Sequence, residues 1–508
     1  MLSQTETVAL IGTDARIVQI EVHVTHGIPR FFIVGLPAKS VREAEQRVRS
    51  ALTSVGHDWP GQKIVANLAP GALPKDGTHF DLPIALGVLA ADRRLPGEAL
   101  PDYTIVGELA LDGTLRPVRG VLAAAIACRA AGRKGLVCPA ANAQEAALVE
   151  GLEVVAVSSL GDCVRWLDGE WVPPRVDPAE APPPPDVFDL SEVRGHPAAK
   201  RALEVAAAGG HNLLLVGPPG SGKTMLARRL PGILPALTSD ESLEVTRIHS
   251  VAGLLAERAL LVRHRPFRSP HPHVSVAGLI GGGAGLPRPG EVSLSHHGVL
   301  FLDELTLFRK EALEALRAPL EDGAVRIARS AGTICFPCSF ALVAAMNPCP
   351  CGYLGDVRRA CRCSLKQVED YRARLSGPFL DRFDLHVVMA RLGKRELLER
   401  APGEHSDHVR ARVGGARSAQ ARRYGSKVLT NSSAPGSLLE DGLAMSGEGR
   451  STLETALDVL ALSGRGLDRV VRVSRTLADL DGAITVDGAH VAEALAYRSH
   501  DEAGATVV

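Results

Sequence analysis

A chain of 508 residues is too long for one hydrophobic core and divides into two to four domains. At 45% hydrophobic residues the composition is that of an ordinary globular protein, and 57 Lys+Arg against 57 Asp+Glu exclude a global basic field for nucleic acid. Aromatic residues make up only 4%, which excludes base stacking as a main mode of recognition.

The first twelve residues lack a basic stretch followed by a long apolar core, and no apolar run reaches membrane-spanning length. The expectation is a cytoplasmic protein with no membrane partner. Its nine cysteines are then free thiols or metal ligands rather than disulfides. Residues 1–170 alternate strand-like and helix-like patterns. Residues 17–24 alternate with period two, which predicts a half-buried strand. Residues 31–34 and 64–68 are short apolar runs of strand type. Residues 40–55 have helical spacing, with Ser40 and Glu43 placed for a capping box. Residues 82–91 and 121–131 read as apolar helices.

Two stretches of this region resemble the proteolytic domain of Lon proteases. Residues 68–77 (Leu-Ala-Pro-Gly-Ala-Leu-Pro-Lys-Asp-Gly) are similar to the loop before the Lon nucleophile, and residues 113–121 to the segment carrying its lysine. Lon-type cleavage needs a serine nucleophile and a lysine base within hydrogen-bond reach. Residue on residue, those positions fall on His79 and Leu122. The resemblance implies a Lon-like α+β fold over 1–170 that has lost the dyad, and it disfavours an ATP-dependent protease.

Residues 171–188 are proline-rich, with Pro182 to Pro185 in a row, and read as an extended linker. Residues 191–208 read as a helix leading into the apolar run 213–216. There follows Gly217-Pro218-Pro219-Gly220-Ser221-Gly222-Lys223-Thr224, and then residues 225–230 of helical pattern. Strand, glycine-rich loop and helix start, in that order, are the context of a P-loop. Glycines let backbone N–H groups converge on phosphate, and the helix N-terminus adds its dipole. Lys223 should reach the β- and γ-phosphates of ATP and Thr224 should hold Mg²⁺.

Residues 299–302 form a second apolar run ending in Asp303 and Glu304, a Walker B pattern. Asp303 would hold Mg²⁺ through water and Glu304 would polarise the attacking water. Residues 321–333 alternate and then turn, as a hairpin does, and bring Arg326 and Arg329. A third apolar run, 340–346, closes at Asn347, which resembles the sensor-1 position of AAA+ ATPases. Cys349, Cys351, Cys361 and Cys363 form two close pairs; they are either ligands of one structural Zn²⁺ or four free thiols. Leu-Asp-Arg-Phe-Asp at 380–384 resembles the segment in which AAA+ relatives of magnesium chelatase and MCM helicases carry an arginine finger, here Arg382. The alternative for Arg382 is a local pair with Asp381 or Asp384.

From 391 to 427 ten Arg/Lys stand against four Asp/Glu, which is either a nucleic-acid surface or a solvated helical face. Residues 451–499 read as helices broken at Gly464 to Gly466 and at Asp487-Gly488, as in a small helical lid. These blocks, with the inserted stretches 265–292 and 321–333, resemble the magnesium-chelatase-like AAA+ proteins of the ComM (YifB) family over essentially the whole chain. The resemblance implies a Lon-like domain (1–170), a linker (171–188), a P-loop AAA+ α/β core (189–390) and a helical lid (391–508). It also implies a homo-oligomeric ring, usually a hexamer, that binds DNA and hydrolyses ATP. In that family ComM acts in natural transformation as a branch-migration helicase. Arg326 and Arg329 would then meet DNA in the pore, and the sensor-2 arginine matches Arg465, with Arg472 as the other choice. The competing reading is a metallochelatase-type assembly ATPase acting on a protein partner.

Overall fold

The computed structural model describes residues 1–176, 188–255, 261–283, 287–329, 332–393, 403–426, 429–441, 443–460 and 462–498. The chain begins with a long antiparallel hairpin, β1 (Leu2–Ile11) and β2 (Asp14–Thr25), joined where Ile11 faces Asp14. β3 (Arg30–Val34), helix α1 (Ala44–Ser54) and β4 (Lys63–Ala69) follow, and then helix α2 (Asp81–Ala91). β5 (Tyr103–Ile105), helix α3 (Val121–Ala130), β6 (Gly135–Pro139) and β7 (Glu153–Val157) complete a seven-stranded sheet, ordered β3-β4-β2-β1-β5-β6-β7. The β3–β4 pair and the run from β1 to β7 are parallel; β2 is antiparallel to both its neighbours. α2 lies so close to the sheet that a methyl group on Gly87 would come within 2.7 Å of Val22 Cγ2.

One expected feature of this region comes out differently, and one strand, β1, is not among the expected elements. The segment 40–55 is not one capped helix. A short turn over Lys39–Arg42 precedes α1, and the Ser40 hydroxyl donates to Asp76 Oδ1 at 2.6 Å instead of capping. β1 carries no legible alternation because its buried positions include Thr5, Glu6 and Thr7. Two of them are met by the fold: Thr5 donates to the Pro83 carbonyl at 3.1 Å, and Glu6 accepts from Thr104 and pairs with Arg133, whereas Thr7 Oγ1 is buried without a partner among the described residues.

Beyond the linker, whose residues 177–187 lie outside the described residues, the helix expected over 191–208 starts later. Leu190–Glu192 is a single 3₁₀ turn, and helix α4 spans Pro197–Gly209. Proline in the first helical turn fixes the start, since its missing N–H has no intrahelical use there. β8 (Leu213–Val216) leads through the glycine loop into helix α5 (Lys223–Ala227). Helix α6 (Ser239–Ala252) starts in a capping box of Thr238 and Glu241. β9 (Phe267–Arg268), β10 (Val299–Leu302), the hairpin β11 (Ala324–Arg329) with β12 (Gly332–Pro337), β13 (Ala341–Met346) and β14 (Leu385–Val388) follow.

The second sheet is entirely parallel and ordered β9-β10-β13-β8-β14. All of β10 is fully buried, as expected of a parallel sheet covered on both faces. β8, first in the chain, sits between two strands that come last. The crevice at its C-terminal end is where open α/β sheets take ligands.

The C-terminal region is helical: α7 (Ser406–Tyr424), α8 (Gly447–Leu460), α9 (Gly464–Leu480) and α10 (Gly488–Ala496). Val413, Val470, Val473 and Leu477 share one core with Leu203 of α4 and Leu213 of β8. α6 joins the two sheets' regions. Its Ser250 hydroxyl donates to the buried Glu145, which also accepts the Leu122 N–H at 2.9 Å, and Arg247 pairs with Asp14.

Candidate functional site

The loop after β8 has the conformation that its glycines permit. Gly220 and Gly222 adopt φ +78° and +87°, a region costly for residues with a Cβ. At Gly217 the obstacle is space: a Cβ would run into the carbonyl oxygen of Met389, the residue just after β14. The Lys223 ammonium is held in this loop, donating to the Gly217 carbonyl at 2.6 Å, the Pro218 carbonyl at 3.0 Å and Asn347 Oδ1 at 3.3 Å. Burial pulls its pKa below the usual lysine value, opposed by the charges of Asp303 and Glu304.

The neighbouring strands complete the group. Asp303 follows β10 and accepts the Thr224 hydroxyl at 2.8 Å. Glu304 is exposed and adopts φ +52°, an unusual conformation for a residue with a side chain. Its N–H donates to Asp303 Oδ1 at 2.9 Å, so the two acids are splayed, one toward Thr224 and one outward. Asn347 closes β13. Thus residues from the C-terminal ends of β8, β10 and β13, three adjacent strands, converge on one point. Ser221, the remaining polar loop residue, is buried with its Oγ unpaired among the described residues. Lysine, hydroxyl, two carboxylates and an amide around an open glycine loop fit a nucleotide polyphosphate with Mg²⁺.

Arg382 and Arg465 lie elsewhere. They line a cavity of about 820 Å³ together with Asn212, Gly298, Ala341 and Asp384. Those four precede or begin β8, β10, β13 and β14, so the cavity opens at the end of the sheet opposite the glycine loop. Arg382 pairs with Glu321 of the segment before β11, rather than with Asp381 or Asp384, and its Nε is buried without a partner among the described residues. Asp384 has its own partners. Burial pushes its carboxyl up, but the His211 hydrogen bond and the charges of His211 and Arg469 outweigh this and hold it below the usual carboxylate value. Arg465 is exposed, whereas Arg472 is spent on the Asn431 and Ala434 carbonyls and on Asp468.

The hairpin β11–β12 forms with Arg326 opposite Cys335 and Arg329 opposite Gly332; residues 330 and 331 at its tip lie outside the described residues. Arg326 is exposed and pairs with Asp322 at 2.9 Å. Among the described residues of the basic stretch 391–427, several arginines are consumed internally. Arg412 pairs with Glu204 and Glu404, Arg417 donates to the Ala207 carbonyl, and Arg423 pairs with Asp479. Residues 394–402 and Lys427 lie outside the described residues.

The four cysteines after Asn347 do come together. Their sulfurs are 3.4 Å (Cys349–Cys351) and 3.6 Å (Cys349–Cys361 and Cys351–Cys361) apart, and all four, with Cys363, lie within 4.8 Å of one another. Two features escaped the sequence reading. One is Glu244, clamping His296 at 3.1 Å and His297 at 2.9 Å just before β10. The other is the contact of Gly352 and Arg391 with Pro219 of the glycine loop. None of these residues carries a spacing signature.

Family profiles match three consecutive parts of the chain. "Subunit ChlI of Mg-chelatase" covers residues 20–142, "Magnesium chelatase, subunit ChlI" covers 189–397, and the profile of its C-terminal part covers 403–498. The chain is 43% identical to the competence protein ComM of Haemophilus influenzae over 501 residues, covering 97% of this chain and 96% of that protein. It is 42% identical to the uncharacterized protein YifB of Escherichia coli over 503 residues, 98% and 97% of the two chains. Part of it, 141 residues or 26% of the chain, is 28% identical to a quarter of Lon protease 2 of Bacillus subtilis. No helix among the described residues is long and apolar enough to cross a membrane.

Proposed function

The chain belongs to the magnesium-chelatase-like AAA+ family of ComM and YifB, and from that premise we propose that it is an ATP hydrolase that works as a ring on DNA. The observation that carries this is the separation of its parts. Lys223, Thr224, Asp303, Glu304 and Asn347 gather at one end of the parallel sheet, while Arg382 and Arg465 stand at the other. Arginines placed there are out of reach of their own glycine loop and would serve a neighbour's.

In this reading residues 1–170 are a Lon-like domain, 171–188 a linker, 189–390 the ATPase core and 391–508 the lid. The backbone N–H groups of residues 217–222 and the α5 N-terminus bind the phosphates, and Lys223 faces the β- and γ-phosphates. Thr224 and Asp303 would hold Mg²⁺, which when bound neutralises charge on the β- and γ-phosphates. Glu304 takes the proton of the attacking water, and Asn347 orients that water. Arg382, released from Glu321, stabilises the charge that develops on a neighbouring subunit's nucleotide, with Arg465 beside it. Ring closure, most simply as a hexamer, makes this site complete. The protein named for competence among its relatives supports DNA as the substrate, and branch migration is the work we propose for the ring.

DNA would meet the hairpin bearing Arg326 and Arg329. Replacing both by Ala should weaken DNA binding about tenfold and reduce its dependence on salt, because each lost phosphate contact removes roughly 0.9 from the log–log slope. Basal ATPase should stay near wild type, since the hairpin is not part of the phosphate site. Affinity for branched DNA across a salt series, alongside ATPase rates, tests this. Unchanged affinity and slope would place DNA elsewhere on the protein.

A further inference from the structure

The loop from Cys349 to Cys363 does two things at once. It gathers four sulfurs, and it lies directly under the glycine loop. The sulfur separations of 3.4 to 3.6 Å are far longer than a disulfide bond of about 2.05 Å. They are close to the roughly 3.8 Å edges of a tetrahedron whose centre sits about 2.3 Å from each corner, the zinc–sulfur distance. Four sulfurs this near one another enclose a single ion and leave no room for an iron–sulfur cluster. A backbone N–H points at the sulfurs: that of Cys363 donates to Cys361 Sγ at 3.4 Å. Such a donor suits a thiolate better than a thiol.

The same loop supports Pro219, the third residue of the glycine loop. Gly352 follows Cys351 directly, and its N–H donates to the Cys349 carbonyl at 2.9 Å. It adopts φ +82°, and a methyl group there would stand 2.7 Å from Pro219 Cδ. Next to it Arg391 pairs with Asp356 at 3.2 Å, lies over the Tyr353 ring and donates to the Pro219 carbonyl at 3.3 Å. Arg359 covers the same ring and bonds the Tyr353 hydroxyl at 2.8 Å. At its other end the loop is continuous with Asn347, a partner of Lys223. Four sulfurs at the loop's two ends thus bracket a turn in which Gly352, beside Cys351, lies against the phosphate-binding backbone.

We propose that Cys349, Cys351, Cys361 and Cys363 bind one zinc ion, and that this closed site holds Gly352 and Arg391 against Pro219 and so sets the floor of the nucleotide site. The ion has no open coordination position and takes no part in chemistry; it acts by positioning. The second half rests on the reading of residues 217–224 as the nucleotide loop.

The test uses untagged full-length protein. Metal analysis should find about one zinc per chain, and Cys361→Ser with Cys363→Ser should lose it. That double variant should bind a fluorescent ATP analogue about tenfold more weakly, because displaced binding groups cost on that order. Gly352→Ala keeps all four thiolates and guards against a folding failure. It should retain zinc yet lose nucleotide affinity to a similar degree. Lys223→Ala should lose nucleotide affinity and retain zinc, which confirms the loop by a residue the cysteines do not touch. Wild-type protein free of zinc with full nucleotide affinity overturns the metal site. Zinc present, with the cysteine variant and Gly352→Ala both binding nucleotide as wild type, overturns the positioning role. Lys223→Ala binding nucleotide normally overturns the underlying reading of the loop and leaves the zinc result standing by itself.

Discussion

Two loops in this molecule follow a strand and carry polar residues in a pattern that elsewhere serves catalysis, yet they are built in opposite ways. In the N-terminal region the loop after β4 turns its polar groups inward. Lys75 is fully buried and donates to the Pro70 carbonyl, Ser40 bonds Asp76, and His79 reaches the Val8 carbonyl at 2.8 Å. Burial lowers the His79 pKa, and Leu122 is fully buried in α3. In the second region the loop after β8 keeps its groups available. Among the described residues Lys223 is held by carbonyls and an amide, Thr224 donates to Asp303, and the Glu304 backbone N–H donates to Asp303 while its side chain stays exposed. A buried polar group that is satisfied by the fold stabilises it; the same group left facing an open site is free to do chemistry. The difference teaches that likeness of a loop can outlast its chemistry, and that the partners of each side chain tell the two cases apart.

The largest effects should come from the second region alone. Glu304→Gln should keep nucleotide binding and lower ATP turnover about 10³-fold, since an amide cannot accept the proton. Arg382→Ala should do the same by about 10³-fold, because a transition-state cation is lost. Mixing Arg382→Ala with Lys223→Ala subunits should recover some hydrolysis, one supplying an intact loop and the other the arginine. Steady-state ATPase on the single and mixed proteins checks this. Wild-type turnover in Glu304→Gln would dissolve the contrast, because the available loop would then be no more catalytic than the closed one. Failure of the mixture despite proven assembly would make Arg382 a structural partner of Glu321.

The next effect belongs to the first region and should be one of stability. His79→Ala removes a buried ring and its hydrogen bond to β1 and should cost about 3 kcal/mol. ATPase per folded molecule should be unchanged, and no serine-reactive probe should label residues 1–170. Chemical denaturation followed with ATPase assays measures both. A loss of ATPase larger than the loss of folded protein would mean that this loop still takes part in the cycle.

Much of this contrast was legible in residue order. Glycine spacing after an apolar run identified β8 and its loop, and acids at the end of β10 and an amide at the end of β13 completed the group. Those signals survive because each sits within a residue or two of a strand end. Other parts were hidden for physical reasons. β1 is a strand whose buried side includes Thr5, Glu6 and Thr7, so hydrophobic periodicity misses it. Ser40 fits a capping box by spacing, but Asp76, thirty-six residues away, takes its hydroxyl. The arginines of 391–427 look like a cationic surface until Glu204, Glu404 and Asp479 are brought to them by folding. Pairing across such distances leaves no local trace in the chain.

The smallest predicted effect lies where the two regions meet. Glu145 of the first region is buried, and three donors face it: the Leu122 N–H, the Asn142 side chain and the Ser250 hydroxyl from α6 of the second. Burial raises its carboxyl above the usual 4.5, with the three hydrogen bonds opposing that rise. A carboxyl with a raised folded value contributes its stability fully below the unfolded value, and that contribution is lost as pH rises through the folded one. Ser250 limits this loss, because its hydroxyl donates to the ionised form. Ser250→Ala leaves two donors in place, so the cost should be near the low end for a hydrogen bond to a charge, about 1.5 kcal/mol at about pH 8. At about pH 5 a larger fraction of Glu145 is protonated than at about pH 8, so the cost should shrink. Arg247→Ala, which removes the pair with Asp14, is the control: Asp14 is 71% exposed, so the loss should be only about 0.3 kcal/mol and nearly the same at both pH values. Denaturant titrations of the three proteins at the two pH values decide the matter. A Ser250→Ala cost that is equal at both would mean that Glu145 stays in one protonation state throughout, and that the junction is an ordinary packed contact.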